Sequence, residues 1–94
     1  MAIRTWTCEK TRTIFEGEST DLVPHGVLKR AHKKLLTLDT AADLRDLRVP
    51  PRNRLEKLSG NRKGQHSIRI NDQCRVCFVW RGGDAYQVEI VDYH

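Results

Sequence analysis

The 94-residue chain carries a formal net charge of +5, with 38% hydrophobic and 31% charged residues, a balance that excludes a disordered polymer and fits one small globular domain. A chain this short buries roughly 60–65% of its unfolded surface, enough for a single core. No apolar run approaches the ~20 residues of a membrane span and the N-terminus lacks an apolar leader core, so no membrane association and a cytoplasmic location are expected.

Ile3–Trp6 alternates and reads as an edge or adjoining strand. Thr7 is placed to cap a first helix, with Glu9 near its positive end, running to Phe15 or Glu16 and stopped by Gly17. Pro24 opens a second helix. Leu28, Ala31, Leu35 and Leu38 form its apolar stripe, with Lys29, Arg30, Lys33 and Lys34 on its other faces. His32 reads as a rim histidine. Thr40-x-x-Asp43 resembles a capping box for a short third helix to Leu47, ended by Val49-Pro50-Pro51. Arg54–Leu58 reads as a strand, followed by a Ser59–Gly64 loop.

The remainder alternates in three segments: Gln65–Asn71, Cys74–Arg81 and Ala85–Val91. The first two flank Asn71-Asp72-Gln73, and Gly82-Gly83 suits the positive φ angles of a tight hairpin. Helices first and consecutive strands after predict an α+β fold, an antiparallel sheet with N-terminal helices on one face, as a single domain over 1–94.

Charge is concentrated in residues 52–81, where Arg52, Arg54, Lys57, Arg62, Lys63, Arg69, Arg75 and Arg81 face only Glu56 and Asp72. Such a block neutralises phosphates; on charge alone a merely solvated face is equally supported. Cys74-x-x-Cys77 has metal-ligand spacing, but on a strand its side chains point to opposite faces with Cα atoms ~10 Å apart. A disulfide needs about 7 Å or less. Cys8, Cys74 and Cys77 therefore read as thiols, and neither a metal nor a cofactor is expected.

Alternation puts Cys74, Val76, Phe78 and Trp80 toward the core, with Tyr86, Val88 and Ile90, and turns Arg75, Cys77, Val79 and Arg81 outward. Ser67, Arg69 and Asn71 share one face of the preceding strand. Arg69 and Arg75 flank one turn, and arginine forks there suit a phosphate and its developing charge. Taken alone, any two arginines are more commonly just a surface pair. The last residues, Asp92, Tyr93 and His94, combine acid–base groups with an aromatic ring, although alternation sends Asp92 and His94 to one face and Tyr93 to the other, and such a tail by itself is more often a frayed end than a catalytic centre. Neighbouring carboxylates favour protonated His94, which suits a general acid; Tyr93 suits stacking on a base. His66 opens the first strand of the meander beside the basic loop and joins the acid–base candidates, although a strand-end surface histidine is the commoner reading.

The ordered set Leu55-x-x-Leu58-Ser59-Gly60-Asn61-Arg62-x-Gly64-x-x-Ser67-Ile68, Asn71-x-Gln73-x-Arg75-x-x-Phe78, Gly83-Asp84-Ala85 and Asp92-Tyr93-His94 resembles the HigB-like branch of the RelE/ParE toxin superfamily. Val23-Pro24 and Leu38-Asp39-Thr40-Ala41 are also similar. The resemblance implies a toxin of a type II toxin–antitoxin system, an endoribonuclease that cuts messenger RNA in the ribosomal decoding site. It implies a helix-turn-helix antitoxin as partner, and attack of the RNA's 2′-hydroxyl on the adjacent phosphate. Arg75 would then stabilise charge, while Asp92, Tyr93 and His94 supply acid–base chemistry and orient the RNA. Lys57, Arg62, Lys63, His66 and Arg69 would bind its backbone. The chain departs from some members in having Glu56 in place of a histidine and Ser59 in place of a lysine, which redistributes the roles of base and charge stabiliser, with His66, Arg62 and Arg69 the candidate substitutes. A tryptophan that many relatives carry near Cys74 is also missing. A gyrase-poisoning ParE-type toxin, or a relic that only binds RNA or its antitoxin, is the alternative on the same fold.

Overall fold

In the computed structural model, which describes residues 2–92, two helices precede four consecutive strands. α1 (Glu9–Phe15) and α2 (Leu28–Thr40) lead to β1 (Glu56–Lys57), β2 (His66–Arg69), β3 (Cys74–Arg81) and β4 (Asp84–Asp92). The strands pair antiparallel in the order β1-β2-β3-β4, as the turn residues predict. Gly82 and Gly83 take φ values of 57° and 84°, the left-handed pair that a two-residue hairpin requires. At the other hairpin, Asn71 Oδ1 accepts from the backbone N–H of Gln73 (2.9 Å) and Cys74 (2.7 Å), so a side chain replaces backbone bonds that the turn lacks.

The stripe Ala31, Leu35 and Leu38 of α2 is fully buried against one face of the sheet. It meets Ile14 of α1, Leu47, Ile68, Val76, Phe78 and Val88 in one apolar cluster, the burial that makes a 13-residue helix stable. α1 is also clipped to the sheet by a polar bond: the buried Thr11 hydroxyl accepts from Ile90 N–H at 3.0 Å.

Several boundaries differ from the sequence expectation for local reasons. Cys8, not Thr7, caps α1, because Thr7 N–H donates to Val88 O (3.2 Å) and its hydroxyl to Gln87 O (3.4 Å). That segment runs parallel to β4, through bridges Ile3↔Ala85 and Trp6↔Val88, and covers the strand's outer edge. Pro24 precedes a 3-10 turn, His25–Val27, that leads into α2. The capping box lies on Asp43 and Asp46 of a 3-10 turn, Leu44–Arg48, because Thr40 is still inside α2 and bonds back to Thr37 O.

The largest difference is a β-bulge. Cys77 pairs with Glu89, yet Val79 pairs with Tyr86, so β4 holds one extra residue there, and Gln87 takes φ = 54°. The bulge turns Tyr86 away from the core expected by alternation and places it beside Val79 on the opposite face, with the Arg81 guanidinium 4.8 Å from its ring centre.

Candidate active site

Opposed residues in neighbouring strands share a face, so the register assembles the face turned away from the helices. Glu56, Ser67, Cys77 and Glu89, one from each strand, lie in a row across it. Arg69, Arg75 and Val91 form the next row. Ser67 and Cys77 are both fully buried, a small-residue floor beneath longer charged side chains.

Arg75 is the most constrained cation of this face, with 12% of its side chain exposed. Its Nε–H donates to Ser67 Oγ at 2.8 Å and an Nη2–H to Arg54 O at 2.6 Å. Glu56 Oε1 stands 3.8 Å from Nη1. Arg54 ends the 3-10 turn Pro51–Asn53 with φ = 45°, an unusual left-handed conformation for a non-glycine residue. Two bonds and one ion pair leave part of a five-donor guanidinium for a ligand, while the plane is fixed in advance. Such preorganisation gives an electrostatic catalyst its advantage.

Across the floor, Arg62 Nη1 bonds Glu89 Oε1 at 2.7 Å and Gln65 Oε1 at 3.1 Å. Arg69 stands directly opposite Arg75 and pairs with Asp72 at the turn; that carboxylate offsets the repulsion of two opposed arginines. The other candidates are divided. Lys63 is exposed after the 3-10 turn Gly60–Arg62. Lys57 and His66 oppose each other and Phe78, which puts them on the helix-packed face by register. Asp92 is opposite Cys74, also on that face at the sheet's end; burial and, secondarily, the Asp92 carboxylate push the Cys74 thiol up. Tyr93 and His94 lie outside the described residues. Cys74 and Cys77 occupy opposite faces as expected, and no disulfide or metal-ligand cluster occurs among the described residues.

His66 packs its ring on Phe78 with centroids 6.2 Å apart, and its buried Nδ1 has no hydrogen-bond partner. Burial, then the positive charge of Lys57, lowers its pKa below the ordinary 6.5, so it is neutral at pH 7 and serves packing rather than charge. The unfolded chain therefore binds a proton here more readily than the folded one. Stability from this site is complete above about pH 6.5 and is lost as pH falls through the depressed folded value. Urea midpoints measured from about pH 7.5 to 5 should decline more steeply for the wild type than for His66→Phe. Equal slopes would remove His66 as their source.

Against this geometry stands a family match: residues 8–94 fit the model of HigB-like toxins, described as RelE-like toxins of type II toxin–antitoxin systems. The chain belongs to the HigB-like toxin family. It is 47% identical over 64 residues to Toxin HigB-1 of Vibrio cholerae serotype O1, covering 68% of this chain and 67% of the relative. It is 32% identical over 83 residues to the Endoribonuclease HigB of Proteus vulgaris, covering 88% and 89%. The fold matches a chain of the YoeB-YefM complex from Staphylococcus aureus with TM-score 0.60 at 18% identity, over 100% of this chain and 97% of that one. Membership makes an antitoxin a partner of this HigB-like protein. No described helix is long and apolar enough to cross a membrane.

Reasoning from the sequence passed over Ser67 and Glu89 as site residues and treated Glu56 only as a departure. The signal that finds them is cross-strand register, which places all three on the face of Arg75.

Proposed function

We propose that this HigB-like toxin is an endoribonuclease that cleaves messenger RNA during translation on the ribosome, through attack of the 2′-hydroxyl on the neighbouring phosphorus. The observation that carries this reading is the preset Arg75 guanidinium, held by Ser67 and the Arg54 carbonyl on a cationic face. The name of the Proteus vulgaris relative supports the same activity. In the reaction the 2′-oxygen forms a bond to phosphorus as the bond to the 5′-oxygen breaks, giving a 2′,3′-cyclic phosphate and a 5′-hydroxyl. One proton leaves the attacking hydroxyl and one reaches the departing oxygen.

Arg75 neutralises the charge that accumulates on the phosphoryl oxygens. Asp92, Tyr93 and His94 provide acid–base chemistry and orientation of the RNA from the end of β4, Asp92 reaching it round the end of the sheet from the other face, with Glu56 the carboxylate paired with Arg75 on its own face. Arg62, Arg69, Lys57 and Lys63 engage the backbone, and His66 acts through packing. The antitoxin is a helix-turn-helix protein of the HigA type.

Mapping RNA ends after brief expression tests the reading. Wild-type protein should yield new 5′-hydroxyl ends inside translated frames, and a variant lacking Tyr93 and His94 should yield about 10²-fold fewer, the usual contribution of a positioned acid or base. The truncated protein should keep its thermal transition, because the pairing described from Glu56 to Asp92 is left in place. Double-strand DNA breaks without RNA ends would replace this activity by gyrase poisoning.

A further inference from the structure

A strongly basic concavity lies away from the Ser67–Cys77 floor. Between α2, the Pro50–Arg52 segment and the β2–β3 turn runs a groove of about 720 Å³ lined by Arg30, Lys33, Lys34, Arg52 and Arg69. Among the described residues no Asp or Glu lines it, although Asp72 holds Arg69 from beside it. We propose that this groove is a second nucleic-acid site, which grips the sugar–phosphate backbone of an RNA duplex separately from the strand presented to Arg75. The proposal rests on the RNA-directed reading of this toxin and adds a substrate feature to it.

Three observations carry it. First, the cations come from three elements remote in sequence, and the fold holds them together at an electrostatic cost. Burial first, and then the like charges of Arg52, Lys33 and Arg30, lower the pKa of Lys34. A polyanion removes that repulsion. Second, the arrangement is built rather than incidental. Asn53 is fully buried, its Oδ1 accepts from Lys34 Nζ, and its Nδ2 donates to Leu47 O and Val49 O, each at 3.3 Å. One side chain therefore ties α2 to the turn bearing Arg52.

Third, the lining names the ligand. No aromatic residue borders the groove, whereas proteins that hold single strands stack bases on aromatic rings. A groove offering charge without stacking surface suits a duplex, which presents phosphates and hides its bases. A protein partner would seek an apolar anchor pocket at the centre of its interface, and here Ile70 and Pro50 are the apolar residues among a lining of five cations.

Fluorescence anisotropy with a labelled RNA duplex of about 16 base pairs, the span of a compact duplex-binding module, tests the site without any cleavage. Lys33→Gln/Arg52→Gln should weaken binding about tenfold or more in low salt. It should also flatten the log–log salt dependence by about two units, one for each phosphate no longer neutralised. Both side chains are exposed, so the thermal transition should not fall. Arg75→Ala should bind the duplex within about twofold of the wild type, because Arg75 is not among the residues that line the groove.

Undiminished duplex binding by the double variant overturns the proposal, as does an equal loss in Arg75→Ala, which would mean one continuous site. A double variant that binds RNA normally but no longer binds the antitoxin would make the groove a protein-docking face instead. A toxin that fails to cleave messenger RNA, yet binds the duplex through Lys33 and Arg52, would refute the nuclease reading and leave the groove standing.

Discussion

Replacing Arg75 by alanine should lower RNA cleavage about 10²–10³-fold, the loss expected when one preorganised donor to a developing anion is removed. Arg75→Lys should recover little of it. An ammonium keeps the charge but cannot donate along both the Nε direction to Ser67 and the Nη2 direction to Arg54 O. The stability cost should be smaller: the buried Ser67 hydroxyl loses its donor, worth about 1–2 kcal/mol. The exposed Glu56 carboxylate, 57% accessible, keeps its hydration and adds little. Cleaved ends counted against a calibrated amount of protein, with a urea denaturation of each variant, separate the two effects. Cleavage by Arg75→Ala within a few-fold of wild type would dismiss the guanidinium from the chemistry. A loss in Arg75→Ala fully restored by lysine would show that charge alone, without the fork, is what the site needs.

This prediction depends on a side of the sheet that period-two alternation made legible. Arg75 and Cys77 fall outward and Val76 and Phe78 inward because β3 is regular, and Gly82-Gly83 fixed the following hairpin by its demand for positive φ. The α2 stripe was equally legible, since Ala31, Leu35 and Leu38 repeat with the helical period and are all buried. The bulge was not. Glutamine carries no preference for φ = 54°, so nothing at Gln87 announced the extra residue, and alternation carried past it placed Tyr86 on the wrong face.

The same limit applies to the site. A strand pattern assigns faces within one segment, whereas Glu56, Ser67 and Glu89 reach Arg75 through pairing between segments. The cations of α2 read as a solvated face because Arg52 and Arg69 approach them only in three dimensions. His66 illustrates the reverse: its place at the start of β2 was correct, but its burial against Phe78 decides that it is a neutral packing group.

Asn53→Ala should be the most destabilising polar substitution in this chain. The amide has no solvent to fall back on: removing it leaves Leu47 O and Val49 O without a donor and the Lys34 ammonium without its acceptor. Unsatisfied buried groups cost about 1–3 kcal/mol each, less where the cavity relaxes, so a total of about 2–4 kcal/mol is expected. In a domain near 100 residues that lowers the thermal midpoint by roughly 10–25 °C. Asn53→Asp keeps an acceptor for Lys34 but loses both N–H donors, and should fall between alanine and wild type. A functional consequence should persist below the melting range. Asn53 is followed directly by Arg54, whose carbonyl holds the Arg75 fork, so a loosened turn releases the guanidinium while leaving Arg62 and Arg69, which engage the strand to be cleaved, in place. Single-turnover cleavage on programmed ribosomes should then show a lower maximal rate with an affinity close to that of the wild type. If rate and affinity fall together, the turn acts on RNA binding as a whole and not through the orientation of Arg75.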